Sequence, residues 1–115
     1  MHWPVKFMIL LEHIQKNQSL FSVITVTLND KEGLIRTKNS ILNQTSTDFE
    51  WIILDGASKD GTREFLEKLP KDMCHWTSEL DKGLYDAMNK GIEKATGKYL
   101  LFLNSGDEFA TPDVL

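Results

Sequence analysis

Cysteine is almost absent from this chain: Cys74 is the only one in 115 residues. That excludes an internal disulfide and a cysteine-based zinc cluster, and makes a reducing compartment, the cytoplasm, the expected setting. Cys74 stands among Met73, His75 and Trp76 and reads as an apolar filler. A nucleophile would need a nearby base, and His75, as a strand neighbour, would point to the opposite face. Positive charge is also scarce, with 13 Lys and Arg against 17 Asp and Glu and a formal net charge of -4. Such a balance offers no basic face for nucleic acid and no broad attraction to anionic lipid. The sequence has no Walker-type Gly-Lys-Ser/Thr loop and no Gly-x-Gly-x-x-Gly, which argues against ordinary nucleoside-triphosphate and dinucleotide sites. His2, His13 and His75 have no metal-ligand spacing.

Long apolar runs are missing too. The run ending in Phe7-Met8-Ile9-Leu10-Leu11 closes at Glu12. It is too short to span a membrane, and no small-residue cleavage site follows it. Residues 1–19 read as an N-terminal extension, helical in pattern, with Phe7, Leu10, Leu11 and Ile14 on one face. Such a helix packs on the domain or, alternatively, docks on a membrane surface or a partner.

What is present is a regular alternation of patterns over residues 20–115, in proportions ordinary for one soluble domain: 41% hydrophobic and 26% charged. Leu20 to Leu28 is rich in β-branched residues and reads as a strand. A helix follows, capped by Asn29 or Asp30 with Glu32 reaching back, and with Leu34, Ile35, Lys38, Ile41 and Leu42 at helical spacing. Phe49 to Asp55 is a second strand and Thr62 to Leu69 a second helix, stopped by Pro70. Met73 to Ser78 is a third strand. Leu84 to Ala95 is a third helix, with Leu84, Ala87, Met88, Ile92 and Ala95 near one face, and Gly97 is its stop signal. Tyr99 to Leu103 is an unbroken apolar run suited to a strand buried on both faces. The order β-α-β-α-β-α-β predicts an α/β fold: a Rossmann-like parallel sheet in a three-layer α/β/α arrangement with right-handed crossovers.

In such a sheet all four strand ends lie along one edge, where ligands bind. Each end here is polar: Thr27-Leu28-Asn29, Asp55 to Asp60, Ser78 to Lys82, and Asn104 to Asp107. Asp55 can accept hydrogen bonds from a ligand, and Gly56, Ala57 and Ser58 leave room for a ring or sugar. Asp60 reads as a cap for the second helix. Lys82 can meet a phosphate as a point charge, or simply be solvated. Asp107 can hold a divalent cation, with Asn104 as a neutral oxygen donor; the alternative for both is a turn satisfied by backbone N–H groups.

Four segments together resemble the nucleotide-sugar-binding half of family 2 glycosyltransferases, which have the GT-A fold. They are Ser22-Val23-Ile24-Thr25-Val26-Thr27-Leu28-Asn29; Trp51-Ile52-Ile53-Leu54-Asp55-Gly56-Ala57-Ser58-Lys59-Asp60-Gly61-Thr62; the run from Ser78 to Ile92; and Phe102-Leu103-Asn104-Ser105-Gly106-Asp107. The last two are especially similar to bacterial exopolysaccharide transferases of the colanic acid type. The resemblance implies inverting transfer of a sugar from a UDP- or GDP-linked donor to a glycan or lipid-linked acceptor in surface polysaccharide biosynthesis. It implies that Thr27, Asn29 and Asp55 hold the base and ribose, that Ser58 belongs to the same donor nucleotide site, that Asp81 and Lys82 line the donor pocket, and that Asp107 with Asn104 binds Mg²⁺ or Mn²⁺ across the diphosphate. It places the general base in an acceptor half beyond these residues, so no catalytic base is assigned. The implied setting is cytoplasmic, peripheral at the inner membrane. A non-catalytic nucleotide-sugar-binding module is the alternative. Apolar faces that meet an acceptor half would be left to self-associate. Lys59-Asp60-Gly61-Thr62 also suggests phosphoryl transfer of the haloacid-dehalogenase type, but that chemistry wants an Asp where Ser58 stands.

Overall fold

The structure, a computed structural model, describes residues 18–115. The expected N-terminal helical face lies outside the described residues, as do His2 and His13. Four strands, β1 (Phe21–Thr27), β2 (Phe49–Asp55), β3 (His75–Ser78) and β4 (Tyr99–Phe102), alternate with three helices, α1 (Lys31–Leu42), α2 (Thr62–Glu67) and α3 (Leu84–Lys94). All strand pairings are parallel, in the order β3-β2-β1-β4. Among the described residues, no helix is long and apolar enough to cross a membrane.

Alternation along β1 and β2 divides the core in two. Val23, Trp51 and Ile53 face α1 and α2 and pack with Leu34, Ile41, Leu66, Cys74 and Leu103. Ile24, Ile52 and Leu54 face α3 and pack with Ala87, flanked by Val26, Ala95 and Phe102. The helices therefore cover both faces, as a parallel sheet requires. Cys74 is buried, and burial pushes its thiol up to about 11, which fits a filler and not a nucleophile. Trp51 is fully enclosed and Trp76 half-buried beside it.

Three expectations need correction. First, among the described residues β4 is an outer strand with β1 as its only neighbour, and Tyr99 and Leu100 are exposed, so the apolar run is not buried on both faces. Second, α3 does not use Leu84 and Ile92 inward; both are exposed, while Ala87 and Gly91 are buried. The helix lies so close to the sheet that a Cβ on Gly91 would stand 2.5 Å from Ile24 Cγ2. Small residues form that contact because larger ones do not fit. Third, Leu42 is exposed, and α1 turns Gly33, Leu34, Thr37 and Ile41 inward.

Boundaries shift for local reasons. α2 stops at Glu67, two residues before the expected Leu69; Lys68 N–H donates to Phe65 O and Leu69 N–H to Leu66 O, a tightened last turn. The residue before a proline avoids helical geometry, so Pro70 reaches back to Leu69. Met73 N–H closes a turn onto Pro70 O, which delays β3 to His75.

Candidate functional site

The chain leaves β1, crosses by α1 to β2 and then by α2 to β3, and returns by α3 to β4 on the far side of β1. Strand order reverses between β1 and β4. The crevice beyond their carboxyl ends is where an open α/β sheet takes a ligand.

The loops after β1 and β2 are locked to each other. Asp55 ends β2 and is 2% exposed. Its Oδ2 accepts from Ser78 Oγ at 2.7 Å and from Ser58 N–H at 3.2 Å, and its Oδ1 accepts from Ser58 Oγ. Ser58 Oγ accepts from Asn29 N–H at 2.7 Å, and Asn29 Oδ1 accepts from Lys59 N–H at 2.7 Å. Asp55 and Ser58 thus spend their polar atoms on the protein and fix the wall of the crevice. Asn29 and Ala57 both hold positive φ, 48° and 64°, a conformation that non-glycine residues adopt at a cost and that gathers at functional sites. Thr27, opposite Asp55 in the β1–β2 register, is buried, and its hydroxyl has no partner among the described residues.

Asp60 does cap. It accepts from Thr62 Oγ1 at 2.5 Å, Thr62 N–H at 3.1 Å and Lys31 N–H at 2.9 Å, so it ties the starts of α1 and α2 together. The Thr62 hydroxyl, then the Lys31 amide, hold its carboxyl below the usual range. Asp30 is the cap of α1, accepting from Gly33 N–H at 3.2 Å.

The loop after β3 folds over the end of β2. A Cβ on Gly56 would stand 3.0 Å from Asp81 Oδ2 and 3.3 Å from Leu28 Cδ1, so the absent side chain makes room for Asp81. Asp81 Oδ1 accepts from Gly83 N–H at 3.0 Å. Lys82 has an exposed side chain, and its backbone N–H donates to Asp86 Oδ2 at 2.8 Å. That amide is the main reason why Asp86 lies below the usual carboxylate range. Lys90 reaches both Glu79 and Asp86, at 3.3 and 3.5 Å, and secures this loop to α3.

The loop after β4 carries the two expected metal ligands, and they differ. Asn104 Oδ1 accepts from Val26 N–H at 3.2 Å and its carbonyl accepts from Asp107 N–H at 2.9 Å, so Asn104 is a turn former. Asp107 is exposed, and among the described residues its carboxylate has no partner. No group of three or more His, Cys, Asp or Glu suited to a metal exists among the described residues. One free carboxylate fits a cation held mainly by diphosphate oxygens and water, as Mg²⁺ usually is.

One contributor escaped the sequence reading: Thr37, which binds the Asn104–Asp107 loop. Ser78, expected only as part of a polar strand end, is a donor to Asp55. The available signal for Thr37 was a lone hydroxyl between Leu34 and Ile41 on the inward face of α1. Two surface hollows, one along α2 and β3 and one at the opposite end of the sheet beside Glu50 and Thr96, contain none of the expected ligand residues.

The family model described as "Glycosyl transferase family 2" matches residues 22–115. A glycosyltransferase of Mycobacterium tuberculosis whose own role is uncharacterised is 44% identical over 95 residues, covering 82% of this chain and 36% of that one. A PGL/p-HBAD biosynthesis glycosyltransferase of Mycobacterium bovis is 37% identical over 99 residues, covering 84% of this chain and 39% of that one. The chain thus spans well under half the length of these relatives. Among solved structures, a mannosyltransferase from Pyrobaculum calidifontis in complex with GDP-Man and Mn²⁺ superposes with a TM-score of 0.71 at 22% identity, covering 84% of this chain and 30% of that one. That likeness establishes the GT-A architecture of the sheet.

Proposed function

The chain belongs to glycosyl transferase family 2, and from that premise we propose that it forms the donor-binding part of an inverting glycosyltransferase. It takes a nucleotide-diphosphate sugar, UDP- or GDP-linked, and serves sugar transfer to a glycan or lipid-linked acceptor in surface polysaccharide synthesis, on the cytoplasmic side of the inner membrane. The observation that carries this reading is the exposed Asp107 carboxylate at the β1–β4 crevice, without a partner among the described residues, beside loops that Asp55, Ser58 and Asn29 lock in place.

Each residue has a chemical task in this reading. Thr27 keeps a buried hydroxyl at the strand end, without a partner among the described residues, and Asn29 and Asp81 border the space for base and ribose. Asp55 and Ser58 hold the wall and need not touch the donor. Lys82 offers a mobile positive charge to the diphosphate. Asp107 would hold Mg²⁺ or Mn²⁺, which offsets charge developing on the leaving nucleoside diphosphate. The general base lies outside these residues.

The test is calorimetric titration of the chain with UDP and GDP, each with and without Mn²⁺. We expect one nucleotide to bind more tightly with Mn²⁺, and Asp107→Ala to abolish that gain while leaving thermal stability unchanged, since the side chain is exposed and unpaired. Equal binding by Asp107→Ala would overturn the assignment of the cation. Sugar release from the matched donor, assayed with the same chain, separates a catalytic domain from a binding module.

A further inference from the structure

We propose that Thr37 is a positioning residue that presents Asp107 to the cation; this rests on the donor-site reading above. Thr37 sits in the second turn of α1 with no exposed surface. Its hydroxyl donates to the Asp107 carbonyl at 2.7 Å, lies 3.4 Å from the Asn104 carbonyl, and accepts from Gly106 N–H at 3.0 Å. One buried hydroxyl therefore meets three residues of a single four-residue loop.

The geometry of that loop explains why it needs such a support. Gly106 has φ 92°, the left-handed region, so the chain reverses sharply just before Asp107. Asp107 N–H closes the turn on Asn104 O at 2.9 Å, and Ser105 N–H continues the β1–β4 ladder onto Val26 O at 3.1 Å. These bonds fix where the loop leaves the sheet. The chain is tied to α1 again just beyond the loop, where Ser40 Oγ accepts from Phe109 N–H at 2.7 Å, but within Asn104–Asp107 it is Thr37 that supplies the bond from tip to helix. Across the same gap, a Cβ on Gly106 would stand 3.6 Å from Asp30 Oδ2 and 3.9 Å from Arg36 Nη2, so the loop faces the first half of α1 without being wedged against it.

A site with a single protein carboxylate depends on how well that carboxylate is aimed. Loss of an outer partner that orients a ligand typically weakens metal binding by about 10- to 100-fold. Thr37 acts on the Asp107 backbone, not on its carboxylate, so its removal changes direction and order while the charge stays. A helix residue fixed in the core is also a better reference point for a ligand than a loop residue.

The experiment compares Thr37→Val, which keeps shape and loses the hydroxyl, with Thr37→Ser, which keeps the hydroxyl. Two quantities are measured on the full 115-residue chain: the gain in UDP or GDP affinity on adding Mn²⁺, and amide exchange at Gly106. We expect Thr37→Val to lower the Mn²⁺-dependent gain by about 10-fold or more and to speed exchange at Gly106, with amides of β1 still protected and metal-free nucleotide affinity unchanged. Thr37→Ser should retain both native values. A native Mn²⁺ gain in Thr37→Val would overturn the proposal. So would a loss of metal-free affinity and of β1 protection in the same proportion, which marks a purely structural residue. If the native chain itself shows no Mn²⁺-dependent gain, the donor-site reading fails and this inference falls with it. That case is recognised because the native protein, not the variant, is silent.

Discussion

The indole N–H of Trp51 on β2 donates to the hydroxyl of Thr25 on β1 at 2.9 Å, and that hydroxyl donates in turn to Leu103 O just past β4 at 2.7 Å. Three neighbouring segments of the sheet are thus joined through one buried oxygen. Thr25→Val keeps the shape but strands the Trp51 N–H and the Leu103 carbonyl. Leaving a buried polar group unpaired costs about 1–3 kcal/mol. We expect the urea midpoint of Thr25→Val to fall accordingly, with an unchanged m-value. A midpoint equal to the native one would mean that both groups find other partners.

Gly91 sets helix propensity against packing. Alanine in place of a helical glycine is ordinarily favourable by about 1 kcal/mol. Here the added methyl would meet Ile24 Cγ2 at 2.5 Å and Leu54 Cδ2 at 3.1 Å. Both belong to the tightly packed central strands, and overpacking there costs about 1–3 kcal/mol. Gly91→Ala should therefore be destabilising, the opposite sign to propensity, as read by thermal unfolding. A stabilised variant would show that α3 moves off the sheet cheaply.

The architecture was legible where burial is complete. β2 runs from Phe49 to Asp55 as expected, because strands covered on both faces need unbroken apolar runs, and few other structures do. The same rule misled at Tyr99–Phe102, since an apolar run does not state whether a strand has one neighbour or two. The inward face of α3 was misjudged because hydrophobicity favours Leu84 and Ile92, whereas the contact is governed by how close the helix comes. At the site, the strand-end acids were visible in sequence but their duties were not. Asp55 meets Ser78, and Thr37 meets Asp107, across 23 and 70 residues of chain. Such pairings depend on strand order, which local patterns do not encode. Asp107, expected as an acid beyond the last strand, is exposed there, and of the two readings offered for Asn104 the Val26 N–H bond to its Oδ1 favours the turn former.

Glu50 ties the far end of the sheet to the α3–β4 connection. Its Oε2 accepts from Ser22 Oγ at 2.5 Å, Thr96 N–H at 2.6 Å, Thr96 Oγ1 at 2.9 Å and Gly97 N–H at 3.2 Å. Burial alone would raise its pKa, but these donors more than offset that and hold it below the usual carboxylate range. A carboxyl whose folded value is depressed adds stability that is present above its unfolded pKa. That stability is lost as pH falls through the lower folded value. We expect native stability to drop on acidification below about pH 4, and Glu50→Gln to be less stable at neutral pH with a flatter acid limb. Parallel acid limbs in the two proteins would assign the pH dependence to other carboxylates.

Ser78 offers a test of whether the crevice wall is held from β3. Its hydroxyl is one of three donors to the Asp55 carboxylate, which is 2% exposed. Removing it leaves a buried charge short of a partner, worth about 1–3 kcal/mol or more. The remaining two donors both come from Ser58, which also accepts from Asn29 N–H. The strain of a less satisfied Asp55 therefore falls on the loops after β1 and β2. We expect Ser78→Ala to lower the unfolding temperature and to weaken metal-free nucleotide binding, while the Mn²⁺-dependent gain, which depends on Asp107 on the other side of β1, stays native. Loss of the Mn²⁺ gain alone would instead tie Ser78 to the Asp107 loop, to which no hydrogen bond among the described residues connects it.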